Sequence, residues 1–418
     1  MEDCKVKIVD EMMGRGKSTA AINFINGNND RRFLVITPYL DEIKRYKSSC
    51  PSKHFTEPVY RNGSKLNSIK ELIRSGRNIV STHSLFSKFD EEVINLCRVL
   101  NYSLIMDEVA NVVESYPLTE DDQKLLLSKY CICEEDTSLL RWKDEYQEYE
   151  GKFSEVKNLC NMKSLAVYGG DIMMWLFPIE VFNAFEEIYI LTYMFNAQLQ
   201  RYYYDYYGME YRYIHVTGNS IDTYMFSEEE SIQDSYDYRK LIHVIDNEKL
   251  NIIGEGSTDL SKSWYERNVK TPVIEQLKKN LYNYFRNIRN DNSKDNLWTT
   301  FNDYRSALSG AGYTKGFLAV NARATNDYRD RSSVAYMVNR YINPIIKKFF
   351  QSHDVQVDEE GFALSEMIQF IWRSAIRDGK EIWVYIPSSR MRSLLLEWIG
   401  KISEKNGEII DIRQRKEA

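Results

Sequence analysis

Short apolar, β-branched runs separated by helical stretches predict an α/β protein built on parallel sheets and divided into two halves. Three observations carry that expectation. The run Lys5-Val-Lys-Ile-Val9 passes through a glycine-bearing loop straight into a helix. The strand–helix alternation then recurs along the first half and starts again after a polar interruption near residue 220. At 418 residues the chain also exceeds what one hydrophobic core comfortably serves.

In chain order, Val6, Ile8 and Val9 give the first strand, and Lys17 to Ile25 reads as the helix beyond the loop. Phe33-Leu-Val-Ile-Thr37 is a buried strand ended by Pro38, with a helix from Leu40. A helix over Ile69 to Ile73 leads to the strand Asn78-Ile-Val-Ser-Thr82, and Tyr102-Ser-Leu-Ile-Met106 runs into Asp107-Glu108. Parallel sheets place ligands at the carboxyl ends of their strands, where each of these polar pairs falls. Residues 117–161 break the rhythm. They are charge-rich, and Trp142, Tyr146, Tyr149, Phe153 and Val156 recur at helical spacing, so an amphipathic helical insertion is expected, with its rings packing rather than stacking on bases. Ile188 to Thr192 returns to the sheet, and the tyrosine-rich Tyr202 to Tyr207 reads as a packed helix.

Thr217-Gly-Asn-Ser220 and the acidic Ser227 to Glu230 form a polar connector. Expected boundaries are 1–220 for the first domain, 221–240 for the linker and 241–418 for the second. Leu250-Asn-Ile-Ile253 opens the second alternating series. A helix over Val273 to Ile288, strands at Leu297–Phe301 and Gly316–Val320, a helix over Ser365 to Arg377 and a strand at Glu381–Ile386 follow.

Composition, 43% hydrophobic and 28% charged, is that of an ordinary globular protein. No apolar run long enough for a membrane span occurs, and the early first strand leaves no room for a signal peptide, so a cytoplasmic location and no membrane partner are expected. Six scattered cysteines fit a reducing compartment, and Cys131-Ile-Cys133 lacks the second pair that a zinc site needs. With a net charge of −6, any grip on nucleic acid must come from local faces and not from a global positive field.

The loop Glu11-Met-Met-Gly-Arg-Gly-Lys-Ser-Thr19 has the tail of a phosphate-binding loop. Gly14 and Gly16 let the backbone wrap a triphosphate, so that Gly14, Arg15, Gly16, Lys17, Ser18 and Thr19 face its charge. Lys17 would reach the β- and γ-phosphates, and the Ser18 hydroxyl would ligate Mg²⁺. One departure stands out: the pattern wants glycine at position 11, and this chain has Glu11. Asp107-Glu108 supplies the second half of an ATPase site, the aspartate for Mg²⁺ and the glutamate to polarise the attacking water. In the far half, Gln369-Phe-Ile-Trp-Arg373-Ser-Ala-Ile-Arg377 is expected to be a helix with both arginines on one face. Such a guanidinium can neutralise charge developing on a γ-phosphate.

Collinear with these segments, the chain resembles a superfamily 2 helicase of the DEAD/DEAH-like kind, in the compact form found in phages and other viruses. Residues 11–19 match the first motif, and Val35-Ile-Thr-Pro38 and Ser81-Thr-His-Ser-Leu85 resemble its two backbone-contacting motifs. Asp107-Glu-Val-Ala110 resembles the DExx box, Leu191-Thr192 the third motif, Ala324-Thr325-Asn326 the fifth and Gln369 to Arg377 the sixth. The family's last arginines usually stand three apart, whereas these stand four apart, which leaves open whether Arg373 or Arg377 is the finger. No segment upstream of the first strand is expected to read adenine.

The resemblance implies two RecA-like parallel-sheet domains and an ATP- and Mg²⁺-dependent helicase or translocase. ATP would lie between the halves, with Gln369, Arg373 and Arg377 facing Lys17, Ser18, Asp107 and Glu108. It implies a nucleic-acid strand held by Thr37, Pro38, Thr82, His83, Thr325 and Asn326, and Thr192 as the residue coupling hydrolysis to movement. DNA is expected over RNA, with other replication proteins as further partners. The rival reading is a phosphate-loop ATPase motor or switch, terminase-like or protein-remodelling, that unwinds nothing.

Overall fold

The computed structural model describes residues 4–38, 40–60, 63–170, 172–229, 237–320 and 327–416, with side chains as far as residue 402. The chain forms two compact units, one of residues 1–231 with 343–357 and the other of residues 232–342 with 358–418.

In the first unit the strands appear in the order β1 (Val6–Asp10), β2 (Arg32–Thr37), β3 (Ile79–Thr82), β4 (Tyr102–Asp107), β5 (Val113–Ser115), β6 (Cys131–Cys133), β7 (Leu140–Trp142), β8 (Leu165–Tyr168), β9 (Ile172–Leu176), β10 (Ile188–Thr192), β11 (Tyr211–Thr217) and β12 (Met225–Ser227). Seven of them make one sheet in the order β12-β11-β1-β10-β4-β2-β3, parallel except for β12. The helices α1 (Lys17–Gly27), α2 (Leu40–Ser49) and α3 (Lys65–Arg74) lie between its first strands. Val9, Phe33, Val35, Val80, Ile105 and Leu191 from the strands pack with Ala20, Ala21 and Ile25 of α1 in one core. Both faces are covered, which explains why these strands read as continuous apolar runs rather than alternating ones. Because the strands run parallel, Asp10, Thr37, Thr82, Asp107 and Thr192 all end at the same edge. Asp10 stands opposite Thr192 in register, and Leu191 opposite Asp107.

The insertion departs from the expected single amphipathic helix. Its helices, Glu120–Leu125 and Ser154–Asn161, are short, and beside them run the hairpin β6–β7 and the antiparallel ladder β5-β9-β8. Trp142 lies on β7, Tyr146 on a 3-10 turn, and Phe153 just before the second helix. Their helical spacing arises from convergence on one centre: Tyr130 stacks on Trp142 at 5.3 Å, with Tyr149 and Phe153 around them. The packing role expected of these rings is what the structure has. Trp142 is 1% exposed and its indole N–H donates to the Tyr146 carbonyl at 2.9 Å. Trp142→Ala should therefore destabilise the insertion by about 3–5 kcal/mol. Denaturant titration monitored by aromatic fluorescence tests this, and a loss below about 1 kcal/mol would contradict the packing assignment.

The helix Pro344–Ser352 belongs to the first unit although it lies far along the chain. Tyr206 meets Phe349 at 5.2 Å and His353 at 5.0 Å, Tyr202 meets Phe350 at 5.9 Å, and Arg201 donates to the Gln356 carbonyl at 2.7 Å. Tyr202, Tyr203 and Tyr204 are fully buried, as expected of the tyrosine-rich helix.

The second unit carries a parallel sheet ordered β13-β16-β15-β14, from β13 (Ile242–Val244), β14 (Asn296–Thr299), β15 (Ser333–Tyr336) and β16 (Ile382–Tyr385). Three expectations change here. Leu250–Ile253 is helical, because the Asn247 side chain caps a short helix by accepting from Leu250 N at 3.1 Å. Gly316–Val320 makes a single bridge, Trp298 to Phe317, and no strand. The strand that does pair there, β15, is not among the expected ones, since its serine and alanine dilute the apolar run.

Candidate functional site

The phosphate loop leaves β1 at Asp10 and enters α1 at Lys17. Gly14 and Gly16 take φ values of +85° and +79°, the left-handed region that costs a side-chain-bearing residue most. A Cβ at Gly16 would also lie 2.8 Å from the ring of Tyr224. Lys17 Nζ donates to the carbonyls of Glu11 and, at 3.1 Å, Met12. Burial lowers the Lys17 pKa, with Glu108, Asp10 and Asp107 opposing that shift. Thr19 is engaged from α2, its hydroxyl accepting from Arg45 Nη2 at 3.1 Å, and Arg15 is half-buried.

Across the sheet edge, Ser18 Oγ donates to the Asp107 carboxylate at 3.2 and 3.4 Å. Residues 89 positions apart in sequence thus meet where a hydroxyl and a carboxylate could share a hard cation. The neighbouring Glu108 has φ +78°, an uncommon conformation for a glutamate, and its N–H donates to the Leu191 carbonyl at 3.0 Å. These donors fit a triphosphate with Mg²⁺: a left-handed glycine cradle, an ammonium held by carbonyls that an anion can replace, and paired hard oxygens. Gly14 to Thr19 would hold the phosphates, and Ser18 and Asp107 the ion.

Burial first, and then the Glu108 charge, raise the Asp107 pKa to about 7. From about pH 4 to pH 7 the folded protein therefore keeps a proton that the unfolded chain has lost. Stability falls as pH rises through that window and stays low above it. In the absence of nucleotide and divalent cations, Asp107→Asn should melt several degrees higher than the wild type at pH 8 and converge with it near pH 4. A pH-independent difference would refute the assignment.

The two acidic residues where β1 passes into the loop, Asp10 and Glu11, tie it to both neighbouring strands. Asp10 accepts from the N–H groups of Met194 (2.7 Å) and Phe195 (2.9 Å), just after β10. Glu11 accepts from His215 Nδ1 at 3.2 Å and Val216 N at 3.4 Å on β11. That accounts for glutamate where a phosphate loop normally starts with glycine. Its partners lie 204 and 205 residues away, and no local signal in the sequence announces them. Thr192 is fully buried, and its hydroxyl finds no hydrogen-bond partner among the described residues.

The strand-contact candidates divide. Thr37 is fully buried, contrary to the expectation that it offers a hydroxyl to a strand, because β2 is covered on both faces. Pro38, Thr82 and His83 are partly exposed, and His83 Nε2 donates to the Asp107 carbonyl at 3.2 Å. Thr325 and Asn326 lie outside the described residues.

In the second unit the expected helix through both arginines ends early. Gln369 lies in the helix Glu359–Ile371, which Trp372 caps, and its side chain donates to Ser365 Oγ at 3.3 Å. Ser374 is extended and its hydroxyl turns back onto the Ile371 carbonyl at 2.6 Å. Arg377 then sits in a separate 3-10 turn, Ala375–Asp378, closed by left-handed Gly379. Arg373 and Arg377 therefore share no helical face. Arg373 is buried, its Nε donating to the Gln369 carbonyl at 3.2 Å, whereas Arg377 is half-exposed.

Compared with known proteins, the chain is 40% identical over 408 residues to the SPbeta prophage-derived protein YonV of Bacillus subtilis strain 168, covering 94% of this chain and 98% of that one. The chain belongs to the YonV family. Residues 236–399 match the family model for the YonV C-terminal Rossmann-like domain, and residues 113–175 match that for the YonV middle domain, which coincides with the insertion. Among solved structures, the structure of S. tokodaii Xpd4 is similar across 94% of each chain at 13% identity, with a TM-score of 0.50. At that identity the likeness is one of fold: two RecA-like parallel-sheet domains, as expected from the sequence. No helix among the described residues is long and apolar enough to cross a membrane.

Proposed function

We propose that this YonV-family protein is an ATP-driven nucleic-acid helicase or translocase. The observation that carries the reading is the meeting of Ser18 with Asp107 beside Glu108, on a glycine loop whose lysine is held by carbonyls. The collinear motifs of the superfamily 2 resemblance extend it from ATPase to translocase, and the fold shared with Xpd4 is compatible with it. Mg²⁺, when bound, offsets phosphate charge. Lys17 orients the β- and γ-phosphates, and Glu108 takes up the proton of the attacking water. The side chains of Thr82 and His83 would contact phosphates, with Pro38 packing beside the strand, without reading sequence. DNA is the preferred strand in this reading, because the YonV relative is prophage-derived.

Arg377 is the proposed finger, since Arg373 is buried and tied to Gln369. Arg377→Ala should lower turnover by at least ~10²-fold with ATP affinity little changed, whereas Arg373→Ala should chiefly lower the melting temperature. The deciding assay is ATP turnover with and without single-stranded DNA or RNA. Stimulation by either supports the translocase. ATP turnover that neither strand raises, together with no strand displacement, would leave a motor or switch acting on protein.

A further inference from the structure

The β11–β12 hairpin is fastened to the helix that carries the phosphate loop. Asn23 Nδ2, on α1, donates to the carbonyls of Ile221 (2.8 Å) and Tyr224 (2.9 Å). Inside the turn, Thr223 Oγ1 accepts from the N–H groups of Asn219 and Ser220, and Tyr224 N donates to the Ser220 carbonyl at 3.1 Å. Gly218, at φ +100°, starts the turn where a Cβ would fall 2.3 Å from the Thr223 carbonyl oxygen. This bracing sets the Tyr224 ring over Gly16, the residue that caps α1.

Tyr224 also lines a cavity of about 430 Å³, together with Asn23, Phe24, Tyr189, Ile214 and Phe226. Its aromatic wall is built: Phe24 and Tyr189 lie 4.8 Å apart, and Tyr189 and Phe226 stack at 5.2 Å with 13° between planes. Arg212 and Glu228 pair at its rim, at 2.5 Å, and Met225 beside them is exposed. A volume in the ~300–1,000 Å³ range of small-molecule sites, apolar flat walls and a few polar groups suit a planar ring attached to a sugar.

We propose that this recess receives the base and ribose of the nucleoside triphosphate whose phosphates lie on residues 14–19, with Tyr224 as the stacking residue. The inference rests on the nucleotide-binding reading above. A ligand anchored by its phosphates at the start of α1 has Tyr224 as its neighbour on the hairpin side, and the recess continues from that ring. Because Asn23 holds the hairpin to α1, the stacking face is in place before any ligand arrives, so little ordering cost falls on binding.

The test uses the full chain and four substrates, ATP, GTP, CTP and UTP, with inorganic triphosphate as a competitive inhibitor. Tyr224→Ala should raise KM for ATP at least ~10-fold more than it lowers kcat, narrow the spread of KM among the four bases, and leave the inhibition constant of inorganic triphosphate within about twofold. Tyr224→Phe should restore the wild-type KM. Should Tyr224→Ala weaken inorganic triphosphate as much as ATP, the ring merely props Gly16 and the base subsite is refuted. An unchanged KM for ATP also refutes it. Photolabelling of the wild type with 8-azidoadenosine triphosphate, mapped by peptide mass spectrometry, is independent of folding in the variants. Label on residues 221–228 or 23–24 supports the proposal, and label elsewhere overturns it. A wild type that hydrolyses none of the four while inorganic triphosphate also fails to bind would instead sink the nucleotide-binding reading itself.

Discussion

Lys17→Ala should abolish ATP hydrolysis while leaving the protein folded. Among the described residues the Lys17 ammonium donates to the carbonyls of Glu11 and Met12, inside its own loop, and burial lowers its pKa against the pull of Glu108 and Asp10. Its removal takes away no packing and relieves a desolvated charge, so the melting temperature should move by no more than a degree or two. Turnover is different. Charge-assisted hydrogen bonds to phosphate contribute about 1.5–3 kcal/mol each, and donors aimed at developing charge in a dry site typically account for ~10²–10³-fold in rate. A phosphate-release assay on purified variant, with a thermal melt alongside, separates the two effects. Near wild-type turnover in a folded variant would remove the phosphate-loop assignment.

Glu108→Gln should bind ATP and fail to turn it over. Glutamine keeps the shape and the backbone bond from Glu108 N to Leu191 O, and it leaves Asp107 and Ser18 untouched. What it lacks is the carboxylate that accepts a proton from water, a contribution of ~10²–10⁴-fold. ATP held without hydrolysis should also tighten the grip on a single strand, which fluorescence anisotropy of a labelled oligonucleotide reads directly. Equal strand affinity with and without ATP would count against coupling. A second substitution isolates the backbone: at φ +78° residue 108 stores strain of roughly 1 kcal/mol, so Glu108→Gly should be inactive yet somewhat more stable at its melting midpoint.

How much of this was legible in the sequence follows from how local each signal is. Gly14, Gly16, Lys17 and Ser18 were readable because a phosphate loop is one contiguous segment whose chemistry dictates its letters. Asp107-Glu108 was readable because a fully buried strand announces its own end. The strand β15 was not, since Ser333 and Ala335 trade side-chain bulk for close packing in the middle of a sheet. The aromatic spacing of the insertion misled, because rings converging from a strand, a turn and the loop before a short helix mimic a helical period. The break after Ile371 was equally hidden: nothing in Gln369 to Arg377 resembles a helix stop until Ser374 is seen to fold back onto Ile371. Glu11 looked like a defect because its partners, His215 and Val216, come from the far side of the domain.

The return of residues 343–357 to the first unit has a consequence for biogenesis. A ribosome delivers Tyr202 and Tyr206 well before Phe349, Phe350 and His353 exist to cover them. The nascent first half therefore waits, with an aromatic face uncovered, while more than a hundred further residues are translated. Vectorial folding cannot complete the first unit until residue 357 has been made, by which point residues 232–342 of the second unit have been made as well. A gene truncated near codon 231 should yield a chain that collapses but stays adhesive, and co-expression of a separate fragment beginning near Asn343 would be the way to rescue its solubility.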